Sequence, residues 1–114
     1  MLMLLGIINN TIVSIAEIRS LGRKRIAHNS EVAISVKKEY WGIGVGSSVM
    51  EGLILFAKEH ELIKNISLGV KASNERAIKL YEKYGFVKVG LHKDYFNING
   101  KYDDEYIMDL YLDK

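Results

Sequence analysis

Val36-Lys37-Lys38-Glu39-Tyr40-Trp41-Gly42-Ile43-Gly44-Val45-Gly46-Ser47 is the stretch on which the reading of this chain turns. Ahead of it, Val32, Ile34 and Val36 recur at every second position, the pattern of a strand with one buried face. Behind it, apolar residues fall at 45, 49, 53, 56 and 57, one face of a helix running from Val45 to about Glu61. Between strand and helix stand Gly42, Gly44 and Gly46. Without Cβ atoms, they let the main chain turn tightly and come close to something bulky. The new helix opens with N–H groups that no earlier turn can satisfy, and its dipole favours an anion in front of them. The natural occupant is a cofactor that carries phosphate.

Three glycine loops can be compared with it. The dinucleotide fingerprint wants a third glycine where Ser47 stands, and Gly46 falls one position short. It also wants an acidic residue at the end of the next strand, about 20 residues on; Glu59 and Glu61 are near that distance but belong to the helix. The P-loop ends in Gly-Lys-Ser/Thr, which is absent. The third pattern, Gln/Arg-x-x-Gly-x-Gly/Ala between a strand and a helix, belongs to the GNAT N-acetyltransferases, which bind acetyl-coenzyme A through it. The chain resembles it from Val36 to Gly46, with Glu39 where Gln or Arg is usual. Main-chain N–H groups hold the pyrophosphate there, so this departure touches a side-chain contact and not the loop. A second segment is similar to the same family: Asn74-Glu75-Arg76-Ala77-Ile78-Lys79-Leu80-Tyr81-Glu82-Lys83-Tyr84-Gly85-Phe86 follows its signature Asn-x-x-Ala-x-x-Leu-Tyr-x-x-x-Gly-Phe. The two motifs stand in the family's order and spacing, and the resemblance extends over residues 3 to 112.

At 114 residues the chain is one domain, large enough to bury roughly 65% of its unfolded surface. A net charge of +2 is too small to argue for nucleic acid. With no cysteine, a disulfide framework, a thiolate metal site and a cysteine nucleophile are all excluded, which fits a reducing cytoplasm. Met1-Leu2-Met3-Leu4-Leu5 lacks a basic start and a cleavage site and is far too short to span a bilayer, so it reads as a strand and no membrane partner is expected.

Along the chain, strands are expected at 2–8 and 11–18 around the hairpin pair Asn9-Asn10, at 30–36, and at 65–70. Two more, Phe86 to Phe96 and Tyr102 to Leu112, flank Asn99-Gly100, a strong hairpin signal. The basic run from Arg19 to Arg25 reads as a loop. Ser73 or Asn74 caps the second helix, and Gly85 stands just past its end. The order is β-β-β-α-β-α-β-β, a mixed, mostly antiparallel sheet flanked by helices in an α/β protein. The resemblance implies the GNAT-like acyl-coenzyme A N-acyltransferase fold. A full domain of that family carries a further strand and two helices before the first hairpin. Residues 1–114 therefore read as one N-terminally short domain, with apolar sheet surface left for a second copy to cover as a homodimer.

What the resemblance implies for chemistry is transfer of acetyl from acetyl-coenzyme A directly to a primary amine of a small molecule or protein. No metal is expected, since no two histidines have ligand spacing. Gly42, Ile43, Gly44, Val45, Gly46 and Ser47 would hold the pyrophosphate. Ile34 and Val36 would lend main-chain groups to the pantetheine arm, where their strand splays from residues 67–70; packing of their side chains is the plainer role, and the two are compatible. Asn74 and Ala77 would meet the cofactor at the second helix, Asn74 being equally a simple cap. Tyr81 is the candidate general acid for the departing thiolate; without the signature around it, it would read as a core tyrosine beside Ala77 and Tyr84. Lys83, like Lys37 and Lys38, would reach coenzyme A phosphates or stand solvated. Trp41 shields the loop or touches the cofactor. Glu31 is the candidate to accept the amine proton through water, though a lone strand carboxylate is more often merely solvated. His28 and His60 are expected at the surface. A second class stays open: an acyl-coenzyme A-binding interaction module without turnover.

Overall fold

The structure, a computed structural model, describes residues 2–20, 28–41 and 44–113. Strands β1 (Leu2–Ile8) and β2 (Thr11–Ser20) form a hairpin, and β3 (Asn29–Val36) follows. A short 3-10 turn, Lys38–Tyr40, leads toward helix α1 (Val45–Glu59), then come β4 (Asn65–Lys71), helix α2 (Glu75–Lys83), β5 (Val87–Ile98) and β6 (Lys101–Tyr111). The six strands lie in the order β1-β2-β3-β4-β6-β5. Only β3 and β4 run parallel; every other neighbouring pair is antiparallel. The expected order of elements and the mixed, mostly antiparallel sheet are both present.

Both hairpins turn as their residues require. Asn9 and Asn10 have φ of 50° and 63°, and Asn99 and Gly100 have φ of 54° and 83°. Positive φ at both central positions gives the turn twist that matches paired strands. Two boundaries differ from expectation. Arg19 and Ser20 continue β2 because they pair with Glu31 and Ser30; the rest of the expected loop, residues 21–25, lies outside the described residues. Helix α1 stops at Glu59 rather than near Glu61, because His60 turns extended (φ −84°, ψ 121°) and brings Ile63 into the core. His28 and His60 are exposed, as expected.

Side chains alternate across a strand, so the buried residues identify the covered face. Ala16 and Ile18 of β2, Val32 of β3, Ile66, Leu68 and Val70 of β4, and Met108 of β6 meet Val49, Met50, Leu53 and Ala57 of α1 and Ile78 and Tyr81 of α2. Both helices thus cover one face. Phe86, 2% exposed, closes this core where α2 hands over to β5; removing a ring so placed costs about 3–5 kcal/mol. The opposite face carries no described helix, and Met3, Leu5, Ile7, Ile12 and Ile15 stand exposed on its β1–β2 half.

Candidate functional site

Strand β3 keeps its parallel partner only from Asn29–Asn65 to Glu31–Ser67; beyond that rung β3 and β4 part. The direction of the freed main-chain groups follows from the neighbouring ladders. The Lys37 N–H donates to the Val13 carbonyl at 2.8 Å, on the β2 side. Alternation then turns the main-chain groups of Val36 and Ile34 the other way, into the gap. Across it, the Ala72 N–H donates to the Asp104 carbonyl, which by the same rule turns Gly69 and Lys71 of β4 toward β3. The gap is a slot with peptide groups on both walls.

On the covered face this slot opens into a cavity of about 570 Å³. Ile34, Ser35 and Val36 form one wall, Gly44, Gly46 and Ser47 the mouth of α1, and Asn74, Arg76, Ala77, Lys79, Leu80, Tyr81 and Lys83 the wall from α2. Gly44 is the N-cap of α1 with φ +89°, a geometry strained for any residue with a Cβ. The first bond of the helix runs from Ser48 N–H to the Gly44 carbonyl, so the N–H groups of Val45, Gly46 and Ser47 have no helical partner. No acidic residue stands in that first turn, and among the described residues no carboxylate lines the cavity, whereas Arg76, Lys79 and Lys83 do. Donors, dipole and cations all favour an anion.

Contacts between the helices hold the mouth in place. A Cβ at Gly46 would lie 3.2 Å from Leu80 Cδ2, so α1 and α2 approach closely there. The Tyr84 hydroxyl donates to Glu51 Oε1 at 2.8 Å and lies 3.4 Å from the Ser47 carbonyl. That bond to Glu51 is the first cause of the raised pKa of Tyr84. Asn74 caps α2, its Oδ1 accepting the Ala77 N–H at 3.1 Å. Trp41, about half exposed, donates its indole N–H to the Val36 carbonyl at 2.9 Å, and the Arg76 guanidinium sits 4.9 Å from its ring centroid. Tyr81 lines the inner end, buried at 9% exposure with its ring 5.9 Å from that of Phe86; burial pushes its phenol above the ordinary value, so it stays a proton donor.

Of the residues singled out from the sequence, Ile34, Val36, Gly44, Gly46, Ser47, Asn74, Ala77, Tyr81 and Lys83 come together on this cavity, with Val45 inside the same first turn. Gly42 and Ile43 lie outside the described residues. Glu31 is elsewhere. It sits at the last β3–β4 rung with its side chain on the helix-free face, 49% exposed and 3.2 Å from Arg19 Nη2. Lys37 and Lys38 do not line the cavity. Arg76 and Lys79 do, and the sequence reading missed them. Their signal was available: 76, 79 or 80 and 83 recur at helical spacing around Tyr81.

Comparison with known proteins finds relatives of this chain. The profile described as the acetyltransferase (GNAT) family matches residues 2–86. The chain is 36% identical over 86 residues to the L-amino acid N-acetyltransferase of Escherichia coli K12, covering 75% of this chain and 53% of that protein. It is 33% identical over 98 residues to the N-alpha-acetyltransferase RimI of Mycobacterium tuberculosis, covering 86% and 58%. Among solved structures, a GNAT-family acetyltransferase from Streptococcus pneumoniae superposes with a TM-score of 0.89 at 33% identity, over 94% of this chain and 64% of that one. The chain thus spans a little over half the length of these curated relatives.

Proposed function

The chain belongs to the GNAT acetyltransferase family, and from that premise we propose that it transfers acetyl from acetyl-coenzyme A directly to a primary amine. The observation that carries this reading is the slot between β3 and β4, walled by peptide groups and opening onto a cavity whose described lining holds three cations and no carboxylate. The residues present fit coenzyme A. The unpaired N–H groups of α1, with Arg76, Lys79 and Lys83, suit its phosphates, and the slot suits an extended arm bearing amides. The co-substrate supplies an activated acyl group as a thioester.

The chain must then do three things. Ile34 presents its N–H to the slot, where it can polarise a carbonyl. Tyr81, kept protonated by burial, gives a proton to the departing thiolate. The amine must reach the slot as a free base, and with both helices on one face it enters from the other. Glu31 stands on that face and is the sequence's choice to take the proton through water. The acceptor is a small-molecule or protein amine, the classes named for the relatives, and neither metal nor nucleic acid takes part. The setting is the cytoplasm; among the described residues no helix is long and apolar enough to cross a membrane.

Isothermal calorimetry with acetyl-coenzyme A, NAD and ATP, followed by thiol release against a panel of amines, tests the reading. Saturable binding of acetyl-coenzyme A with turnover supports it, and equal affinity for NAD overturns it. Tight binding without turnover on any amine would favour the interaction module instead. Self-association belongs to the same proposal: a second copy covers Met3, Leu5, Ile12 and Ile15, contiguous apolar side chains on a flat face beside the edge strand β1. Sedimentation should give a dimer that Leu5→Glu dissociates, and a monomeric wild type at micromolar concentration would refute it.

A further inference from the structure

The amine's side of the slot holds a second arrangement, on strands far from the glycine loop. Gly69 borders the slot with its main chain, and on the helix-free face the place of its missing Cβ is taken by Glu105, whose Oε2 and Cδ any added Cβ would strike. Glu105 stands on β6 opposite Lys71 and lays its carboxylate over Gly69 of β4. Its other oxygen, Oε1, is 3.0 Å from Nδ1 of His92, the residue directly across on β5. The imidazole is itself stacked on Tyr95, centroids 5.0 Å apart. Glu105 is 16% exposed in its side chain, against 52% for His92. A carboxylate is therefore held on one side by a histidine and on the other lies over a slot-bordering glycine that leaves room for it.

Three other charged groups nearby are engaged elsewhere. Lys71 directs its ammonium over the Phe96 ring, 5.4 Å from the centroid, and Asp103, two residues away on the same face, accepts a hydrogen bond from the Ser73 hydroxyl. Glu31, across the slot, is tied to Arg19.

We propose that Glu105 receives the acceptor ammonium and takes its proton, with His92 as the residue that positions the carboxylate. The inference rests on the acetyltransferase reading and assigns its acceptor side to Glu105 in place of Glu31. In the step, one N–H bond of the ammonium breaks and the proton passes to Glu105 Oε2. The electron pair stays on nitrogen, free to attack the acyl carbon, and the proton later leaves to solvent on the open face. Acceptors of this site are cationic primary amines.

The test uses Glu105→Gln, which keeps shape and a partner for His92 but cannot take the proton. Its kcat/KM for the amine should fall by about 10²-fold, the low end of the usual general acid–base range, while acetyl-coenzyme A affinity stays at the wild-type value. His92→Asn should raise the amine KM more than it lowers kcat. Independently of turnover, propylammonium titrated into the wild type should shift the NMR signals of the Gly69 amide and the His92 ring, and should not do so in Glu105→Gln. Unchanged amine kinetics with shifts that persist in Glu105→Gln would overturn the assignment. Shifts that vanish in the variant, in a wild type that acetylates no amine, would keep the ammonium site and sink the transferase reading. No shifts and no turnover would remove both.

Discussion

The two faces of the sheet are built to different rules. On the covered face, one set of residues serves packing and the site at once: Tyr81 is at the same time core and cavity wall, and Gly46 both opens the mouth of α1 and lets Leu80 approach. The helix-free face is surface. It is apolar over β1 and β2, and over β4, β6 and β5 it carries Asp109, Glu105, Lys71 and His92, with Glu31 across the slot. Changes on the covered face therefore strike structure and ligand together, while those on the open face act on single charged groups.

If that contrast holds, the largest effect belongs to Gly44→Val. A φ of +89° costs a β-branched residue about 1–2 kcal/mol, and its Cβ would point into open space that the cofactor needs. Acetyl-coenzyme A binding should be lost, a fall of more than about 10³-fold, each tenfold being about 1.4 kcal/mol, with circular dichroism still native. Full affinity would break the comparison at its strongest point.

Tyr81→Phe should come next. The ring and its packing remain, so calorimetric affinity stays, while kcat drops by about 10²-fold if the phenol is the general acid. Because burial raises the phenol's pKa, the donor form persists above its ordinary range, and the wild-type profile should show no loss assignable to Tyr81 near neutrality. Arg76→Ala should weaken acetyl-coenzyme A binding by only about fivefold, as befits a solvated charge, and the difference from wild type should shrink as salt rises. The smallest effect is expected of Glu31→Gln. Its carboxylate is half exposed and already paired with Arg19, so turnover should change by less than about threefold, within the range of a surface ion pair. A large drop would return the acceptor proton to Glu31 and erase the asymmetry between the two walls of the slot.

What could be read from sequence divides along the same line. The loop, Asn74, Tyr81 and Gly85 were legible because each is determined locally: a turn needing φ > 0, a cap three residues from its N–H, a helix face. The hairpins at Asn9-Asn10 and Asn99-Gly100 were legible for the same reason. Glu105 was not. It meets Gly69 only because β6 inserts between β4 and β5, a diagonal contact between residues 36 positions apart that no periodicity announces. The one available hint was Gly69 itself, a glycine inside a strand, which often marks a close approach. Glu31 attracted attention as a carboxylate on the strand whose far end was expected to hold the pantetheine, yet strand alternation sent it to the open face and Arg19 claimed it.

Trp41 is the only tryptophan in the chain, and its indole N–H rests on a carbonyl that faces the slot. Any guest that draws on the Val36 carbonyl must compete with the indole for it, and any guest held by Arg76 disturbs the cation over the ring. The molecule thus carries its own optical gauge: the colour and intensity of its ultraviolet emission report occupancy of the cavity mouth, without a label.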